Sequence, residues 1–548
     1  MKKATQHSPT QIAALIAEAV RNHQNGALAM AEVQYRQALA SEPSNYAALH
    51  MLAVIGYQTN QFEESIKLFR QAESQGANDP SFLVNYGATL KSARRFEEAL
   101  EKYDRALAIK PDNFEALYNK AQLLNELKRY DEAIEVSKQC MAIRPDDSDA
   151  ITSYGIALKN MGRWIEALDR FDEAITVNPE SVFAHICMGE VLRSHGWLNA
   201  GDLFYKRALD LDPRNPVART HRAVNALMHG RLEDGWKEYD GRFWYLEERV
   251  PRRPVPPVYW GGEDLTGKSL LIWTEQGIGD AIIYSSMILE IAARARAVYL
   301  ECEPRLVPIF SRSFPGVQVF TLRDGARSAP EVPIADYQSA IGSLGRFMRP
   351  TLDSFPRHNG YLVPDKNKVA EFKRRYAPGP VVGISWRSSK QAAALVKSVP
   401  LLEWAPILRV PGIKFVNLQY GDNSAEIEEV KRKLGVEIIE DSSVNALKDM
   451  DGFLAQVAAL DLVVSVSNTT VHVAGATNVP VWLALPNKGL GLWYWFQRRA
   501  DSPWYPSMRI FRGQVENLNI LGDLAWWSNI VGRIASDLDD LASRKRMK

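Results

Sequence analysis

Two short segments of this chain carry the residue types that group transfer needs. One is Thr274-Glu275-Gln276-Gly277-Ile278-Gly279-Asp280; the other is Ser467-Asn468-Thr469-Thr470-Val471-His472. Gly277 and Gly279 allow a sharp backbone turn after a strand. Asp280 then opens a helix, where a cap carboxylate accepts free amides. The same carboxylate, at a strand end, is also placed to accept a proton in a cleft. In the second segment, hydroxyls and free amides at a helix start form an anion site, with His472 on its first turn. A third segment, Ser385-Trp386-Arg387-Ser388-Ser389 with Lys390 and Lys397 beyond it, offers cations for a phosphate. A solvated polar loop accounts for those residues equally well. Gly277 and Gly279, with Glu301 and Glu303 near the next strand's end, faintly suggest a dinucleotide fingerprint. The third glycine position is Ile282, however, and Asp280 would set negative charge beside a pyrophosphate. Asp449-Met450-Asp451 has metal-motif spacing, but it precedes an amphipathic run and reads as a helix cap. The aromatic stretch Trp493–Phe496 with Trp504 and Tyr505 reads as packing before it reads as a stacking wall.

The elements that must hold these segments are short apolar runs alternating with helical stretches. The runs are SLLIWTEQ (269–276), VYLECE (298–303) and VQVFT (317–321). After Pro378 come VVGISW (381–386), KFVNLQY (414–420), VEIIE (436–440), DLVVSV (461–466) and PVWLALP (480–486). Buried strands alternating with helices predict two parallel-sheet α/β units, with ligands outside the carboxyl ends of the strands. A helical stretch at 521–544 closes the chain.

The first 249 residues follow a different rule. A small residue recurs every 34 positions at Ala38, Ala72, Ala106, Cys140, Ala174 and Ala208. An aromatic precedes it by three at Tyr35, Phe69, Tyr103, Phe171 and Tyr205, with Ser137 the exception. Proline follows it by five at Pro43, Pro111, Pro145, Pro179 and Pro213. That grammar is the tetratricopeptide repeat, TPR. Units fall near 12–45, 46–79, 80–113, 114–147, 148–181 and 182–215. Their first helices carry Ala19, Ala53, Gly87, Ala121, Gly155 and Gly189 at the contact. A degenerate seventh unit, 216–249, places Arg242 where the small residue belongs and reads as the seam to the next domain. Pro251 to Pro257 predicts a stiff linker.

Composition narrows the classes. With 66 Lys and Arg against 65 Asp and Glu, the chain is not a generally basic nucleic-acid binder. Cys140, Cys187 and Cys302 are scattered without a CxxC pair, so neither a disulfide framework nor a zinc cluster is indicated. No run is long enough to span a bilayer, and the opening stretch reads as the first repeat helix rather than a signal peptide. The expected location is the cytoplasm.

The segments GWKEYDGRFW, EQGIGDAI, VGISWRSS, KSVPLLEWAPIL, FVNLQYGD, NTTVHVAGA and SPWYPSMRIFRG, in this order, resemble bacterial tetratricopeptide-repeat glycosyltransferases. The resemblance implies an all-α TPR solenoid of about seven repeats, followed by a GT-B region of two Rossmann-like units related to the heptosyltransferases. The implied limits are 1–249 for the repeats, 250–258 for the linker, 259–370 for the acceptor-side unit and 371–548 for the donor unit. It implies inverting, metal-independent transfer from a CMP- or UDP-linked sugar, with no cofactor. The acceptor would be a serine or threonine of a protein held by the repeats, flagellin in members of this type, and the sugar in some members is a nonulosonic acid such as pseudaminic acid. Asp280 would be the base, with Glu275, Gln276, Gly277 and Gly279 forming the acceptor loop. Trp386, Arg387, Ser388, Ser389, Lys397, Gln419, Tyr420, Asn468, Thr469, Thr470 and His472 would lie on the donor side. The chain departs from the heptosyltransferases at Ser467, where they carry an acidic residue.

Overall fold

The structure is a computed structural model and describes residues 8–245, 257–322, 331–388, 398–485, 492–513 and 525–546. Its contacts divide the chain into two compact units, Met1–Val191 and Leu192–Lys548.

The first unit is built from paired helices: Pro9–Gln24 with Leu28–Ser41, Tyr46–Gln58 with Phe62–Ser74, Pro80–Ser92 with Phe96–Ile109, Phe114–Glu126 with Tyr130–Ile143, and Ser148–Asn160 with Trp164–Val177. The spacing rule has a direct steric cause. The rings of Tyr35, Phe69, Tyr103 and Phe171 are fully buried, as are the small residues three positions on. A Cβ on Gly87 would lie 2.5 Å from the Tyr103 ring, and one on Gly155 would lie 2.5 Å from the Phe171 ring. Each glycine thus admits an aromatic side chain whose burial contributes about 2–3 kcal/mol. Helix starts repeat at the same period, which the small-residue ruler did not anticipate. Asn45, Asp79, Asn113 and Asp147 each accept an amide hydrogen bond from the residue three positions later. Such caps contribute about 1 kcal/mol each. The prolines stop the second helices as expected: Lys110, before Pro111, is extended at φ −135° and ψ 90°. Cys140 and Cys187 are buried as small apolar residues, as is Cys302 in the second unit.

The second unit contains the helices Leu198–Leu211, Pro216–Met228 and Leu232–Tyr239 together with two all-parallel sheets. The strands are β1 (Val258–Tyr259), β2 (Ser269–Trp273), β3 (Ala297–Cys302), β4 (Val317–Thr321), β5 (Tyr337–Ala340), β6 (Val381–Ser385), β7 (Lys414–Asn417), β8 (Ile438–Ile439), β9 (Leu462–Val466), β10 (Val481–Leu485) and β11 (Met508–Arg512). The orders are β1-β5-β2-β3-β4 and β11-β10-β9-β6-β7-β8. The second sheet is buried on both faces, so its side chains alternate between two cores. Val381, Val463 and Leu483 join one, with the helix Met450–Ala458; Val382, Val464 and Ala484 join the other, with the helix Ala525–Arg546. Eight strands match the apolar runs. The other three, β1, β5 and β11, were not predicted. Most of the Pro251–Pro257 linker lies outside the described residues.

Candidate functional site

In each sheet the chain moves outward in two directions from one strand, which leaves a crevice at the carboxyl ends where the order reverses. In the first sheet that crevice lies between β2 and β5, and in the second between β6 and β9. The Glu275–Asp280 segment follows β2, the Trp386–Ser388 segment follows β6 and the Ser467–His472 segment follows β9, so all three sit at reversal points.

The first crevice is filled by the protein itself. Glu275 is buried there, and its Oε1 accepts the Gly342 amide at 3.2 Å from the loop after β5. Arg242, whose side chain is 1% exposed, enters from the short helix Arg242–Tyr245 and grips Glu275 in a fork, Nη2 to Oε1 at 2.6 Å and Nε to Oε2 at 3.2 Å. Its remaining N–H groups donate to the Tyr239 carbonyl, Asp240 and Ser343. The guanidinium lies over the Tyr239 and Phe243 rings at 4.3 and 4.2 Å. Burial pushes the Glu275 carboxyl upward while Arg242 draws it back down. The residue that broke the 34-residue rule thus leaves the repeat packing to neutralise a buried carboxylate. Glu275 belongs to this pair rather than to an open acceptor surface.

Asp280 is not the helix cap. The helix Ile278–Ser285 is capped by Gly277, and Asp280 is its third residue. The helix starts early because Gln276, not a glycine, takes the left-handed conformation (φ 63°), and Gly277 follows in extended backbone. From the first turn the carboxylate bends back toward the amino end, its Oδ2 3.5 Å from where a Gly277 Cβ would sit. A negative charge is favoured there by the helix dipole. Gln276 donates to the Tyr239 hydroxyl at 3.4 Å. Gly279 is needed for contact rather than for turning: a Cβ there would fall 2.9 Å from His472 Cδ2.

The second crevice is stitched by amides. Asn468 caps the helix Thr469–Ala476 through the Thr470 amide at 3.0 Å. Its Nδ2 donates to Ser385 Oγ at 2.7 Å and to the Arg387 carbonyl at 3.1 Å, tying β9 to β6. Gln419, beyond β7, accepts from Ser385 Oγ and from the Trp386 and Arg387 amides at 2.8–3.1 Å. Tyr420 reaches the Arg387 carbonyl at 3.5 Å. Arg387 pairs with Glu426 at 3.1 Å. Trp386 is corrected to a core residue: it is fully buried, and its indole N–H donates to Glu426 at 3.2 Å. The Ser388 amide donates to Ser398 Oγ at 3.1 Å. Thr469 is the first helical residue, and the buried Thr470 hydroxyl has no hydrogen-bond partner among the described residues. Ser389, Lys390 and Lys397 lie outside the described residues.

His472 does not face this anion-type helix start. It is 2% exposed, its ring stacks on Trp495 at 5.2 Å, and both nitrogens are occupied: Nδ1 with Tyr505 OH at 2.9 Å and Nε2 with Tyr494 OH at 3.4 Å. The Tyr494 hydroxyl also interacts with Asp280. Burial, then the Asp280 charge, pushes the Tyr494 hydroxyl well above the ordinary tyrosine range. His472 and Asp280 are therefore joined through Tyr494. The aromatic stretch is packed as expected, with Trp493 edge-on to Trp236 at 5.1 Å, but its two tyrosines also bond the polar groups between them. Asp449 caps the helix Met450–Ala458 through the Gly452 amide, and Asp451 is held by Arg312 and Lys368. Glu301 is fully buried within β3, and Glu303 pairs with Arg305 at 2.6 Å. Among the described residues no helix is long and apolar enough to cross a membrane.

Comparison with known proteins recovers the repeats and one longer match. Tetratricopeptide repeat models match residues 14–80 and 90–150. Protein FlbA of Caulobacter vibrioides is 37% identical over 339 residues, a stretch covering 59% of this chain and 55% of FlbA. The chain thus spans about half the length of that relative. Among solved structures, YrrB, a TPR protein with an unusual peptide-binding site, is 21% identical with a TM-score of 0.29, covering 31% of this chain and 88% of its own. A tetratricopeptide repeat protein from Parabacteroides merdae is 20% identical with a TM-score of 0.39, covering 42% of this chain and 91% of its own. The paired helices of the first unit, with their 34-residue spacing, are tetratricopeptide repeats.

Proposed function

We propose that the chain is a glycosyltransferase that moves a sugar from a nucleotide-sugar to a serine or threonine of an acceptor protein, with the repeats binding that protein. The observation that carries the reading is the meeting of Asp280 with the Asn468–His472 segment. A carboxylate on one helix's first turn stands one tyrosine away from His472, on the helix that Asn468 caps and whose start is of the kind that holds phosphate. Asp280 takes the acceptor hydroxyl proton as the oxygen attacks the anomeric carbon, and the nucleotide phosphate leaves with the bonding pair. The Thr469 amide, the Thr470 hydroxyl and Arg387 receive that negative charge. Direct displacement inverts the anomeric centre. The sequence resemblance points to flagellin as acceptor, a CMP- or UDP-linked donor such as an activated nonulosonic acid, and a cytoplasmic location.

The test is incubation of the purified chain with flagellin and a panel of CMP- and UDP-sugars, read by intact mass. A mass gain matching one sugar, lost by orders of magnitude in Asp280→Asn at unchanged circular dichroism, is expected. No mass gain and no nucleotide-sugar binding would leave an interaction scaffold instead. Full activity in Asp280→Asn would remove the base assignment.

A further inference from the structure

The polar groups beside Asp280 form a chain whose proton directions are set from the Asp280 end. At one end Tyr361 OH donates to the Ile282 carbonyl at 2.9 Å, a group that only accepts. Tyr361 and Tyr505 hydroxyls are 3.4 Å apart, Tyr505 OH is 2.9 Å from His472 Nδ1, and His472 Nε2 is 3.4 Å from Tyr494 OH. At the other end Tyr494 meets the Asp280 carboxylate, which when ionised also only accepts. With one proton per hydroxyl and a neutral imidazole, one arrangement satisfies the contacts from Tyr505 to Asp280. Tyr505 O–H points to Nδ1, Nε2–H points to Tyr494, and Tyr494 O–H points to Asp280. The tautomer of His472 follows from its neighbours.

We infer that Tyr494 is a positioning residue for Asp280, its hydroxyl proton aimed at the carboxylate by a hydrogen-bond relay running from Tyr505 through His472. The inference rests on the reading of Asp280 as base. No residue of the relay needs to touch substrate. Its parts are locked by packing: Tyr494, Tyr505 and His472 are each about 2% exposed or less, and Gly475 leaves room for the Tyr505 ring, which a Cβ there would meet at 2.4 Å. Gly279 makes the same allowance for the His472 ring on the helix that carries Asp280. The relay ties Asp280 to two aromatic residues far along the chain and so holds the carboxylate in one orientation. Among the described residues, the titratable groups named around Asp280 are these residues and Tyr284, whose hydroxyl also feels its charge. Beyond Tyr284 stand Tyr239 and the Arg242–Glu275 pair. A hydrogen bond donated to a carboxylate favours its charged form, so the relay keeps the base ionised at lower pH.

The experiment compares wild type, Tyr494→Phe, Tyr505→Phe and Asp280→Asn as full-length chains. It measures kcat, KM for the nucleotide-sugar, the pH dependence of kcat and the thermal unfolding midpoint. Tyr494→Phe keeps the ring and should lose about 10–100-fold in kcat through misorientation of the carboxylate. Its donor KM and unfolding midpoint should hold, and the acid limb of its pH profile should move up by about one unit. Tyr505→Phe, which leaves the contact with Asp280 in place, should move the same limb in the same direction by less. It stands in if the first variant does not fold. An unmoved acid limb in both variants, or a kcat loss matched by a fallen midpoint, overturns the positioning role. If Tyr494→Phe is fully active while Asp280→Asn is dead, the relay fails and the base stands; if Asp280→Asn is active, the underlying reading fails.

Discussion

Removing the Arg242 side chain isolates the buried pair in the first crevice. Arg242→Ala strips five donated hydrogen bonds and leaves the Glu275 carboxylate, 1% exposed, with the Gly342 amide at 3.2 Å as its remaining named donor. Breaking one partner out of a buried pair costs about 3–5 kcal/mol, because the other charge stays desolvated. The two aromatic faces that sandwich the guanidinium lose a contact worth up to about 2 kcal/mol, which is not fully additive. We therefore expect about 4 kcal/mol. With a urea slope of about 3 kcal/mol/M, the midpoint falls by about 1.3 M. Tryptophan fluorescence suits the assay, since of the 14 tryptophans all but Trp164 lie in the second unit. The pH dependence has a definite sign. Without the arginine, burial raises the folded-state pKa of Glu275 above its unfolded value. The penalty is then largest above that raised pKa and shrinks as pH falls through it, so the deficit should be smaller at pH 5 than at pH 8. Arg242→Met with Glu275→Leu, which removes both charges, should recover most of the loss. A deficit below about 1 kcal/mol for Arg242→Ala, or a double variant as poor as the sum of the singles, would refute the reasoning.

Two further outcomes follow from close contacts and burial. Gly279→Ala would set a methyl 2.9 Å from the His472 ring; with that ring held by Tyr494, Tyr505 and Trp495, about 1–3 kcal/mol of strain is expected, with a larger proportional loss in transfer rate, read by urea midpoint and intact-mass assay. His358 donates through Nε2 to the Trp504 carbonyl and accepts the Gly360 amide at Nδ1, and burial followed by Arg349 lowers its pKa. Its contribution is thus complete above the unfolded value of about 6.5 and is lost as pH falls toward the lower folded value; the unfolding midpoint should drop between pH 7 and 5, and His358→Gln should flatten that drop.

The repeat array was legible because its rule is steric and local: small residues at the helix contacts leave a trace every 34 residues whatever else the chain does. The strands were legible where both faces are buried and the residues are apolar. They were lost where that condition fails. Within β5, Gln338 and Ser339 are buried polar residues, β11 alternates with the exposed Arg509, and β1 is two residues long. The position of Asp280 within its helix depended on Gln276 taking a left-handed turn, and no residue type announces that. The places of His472 and Tyr494 could not be read because their partners lie on other elements. An aromatic run signals burial, and nothing in its spacing tells which hydroxyl will find a carboxylate. Arg242 was visible as a break in the rule, but the carboxylate that explains it stands 33 residues on, past the linker.

The placement of Arg242 also says where this protein can be rebuilt. The helices from Leu198 onward share one compact unit with both sheets, and Pro216–Tyr239 presses on them through Trp236 and the Met228 carbonyl, which accepts the Gln497 amide. The helix pairs within 9–177 belong to the other unit and supply none of the residues named around Glu275, so exchanging them is expected to leave the Arg242–Glu275 pair in place. The last helices are fixed components of the α/β body, and a graft that replaced them would carry away the arginine that keeps its crevice closed.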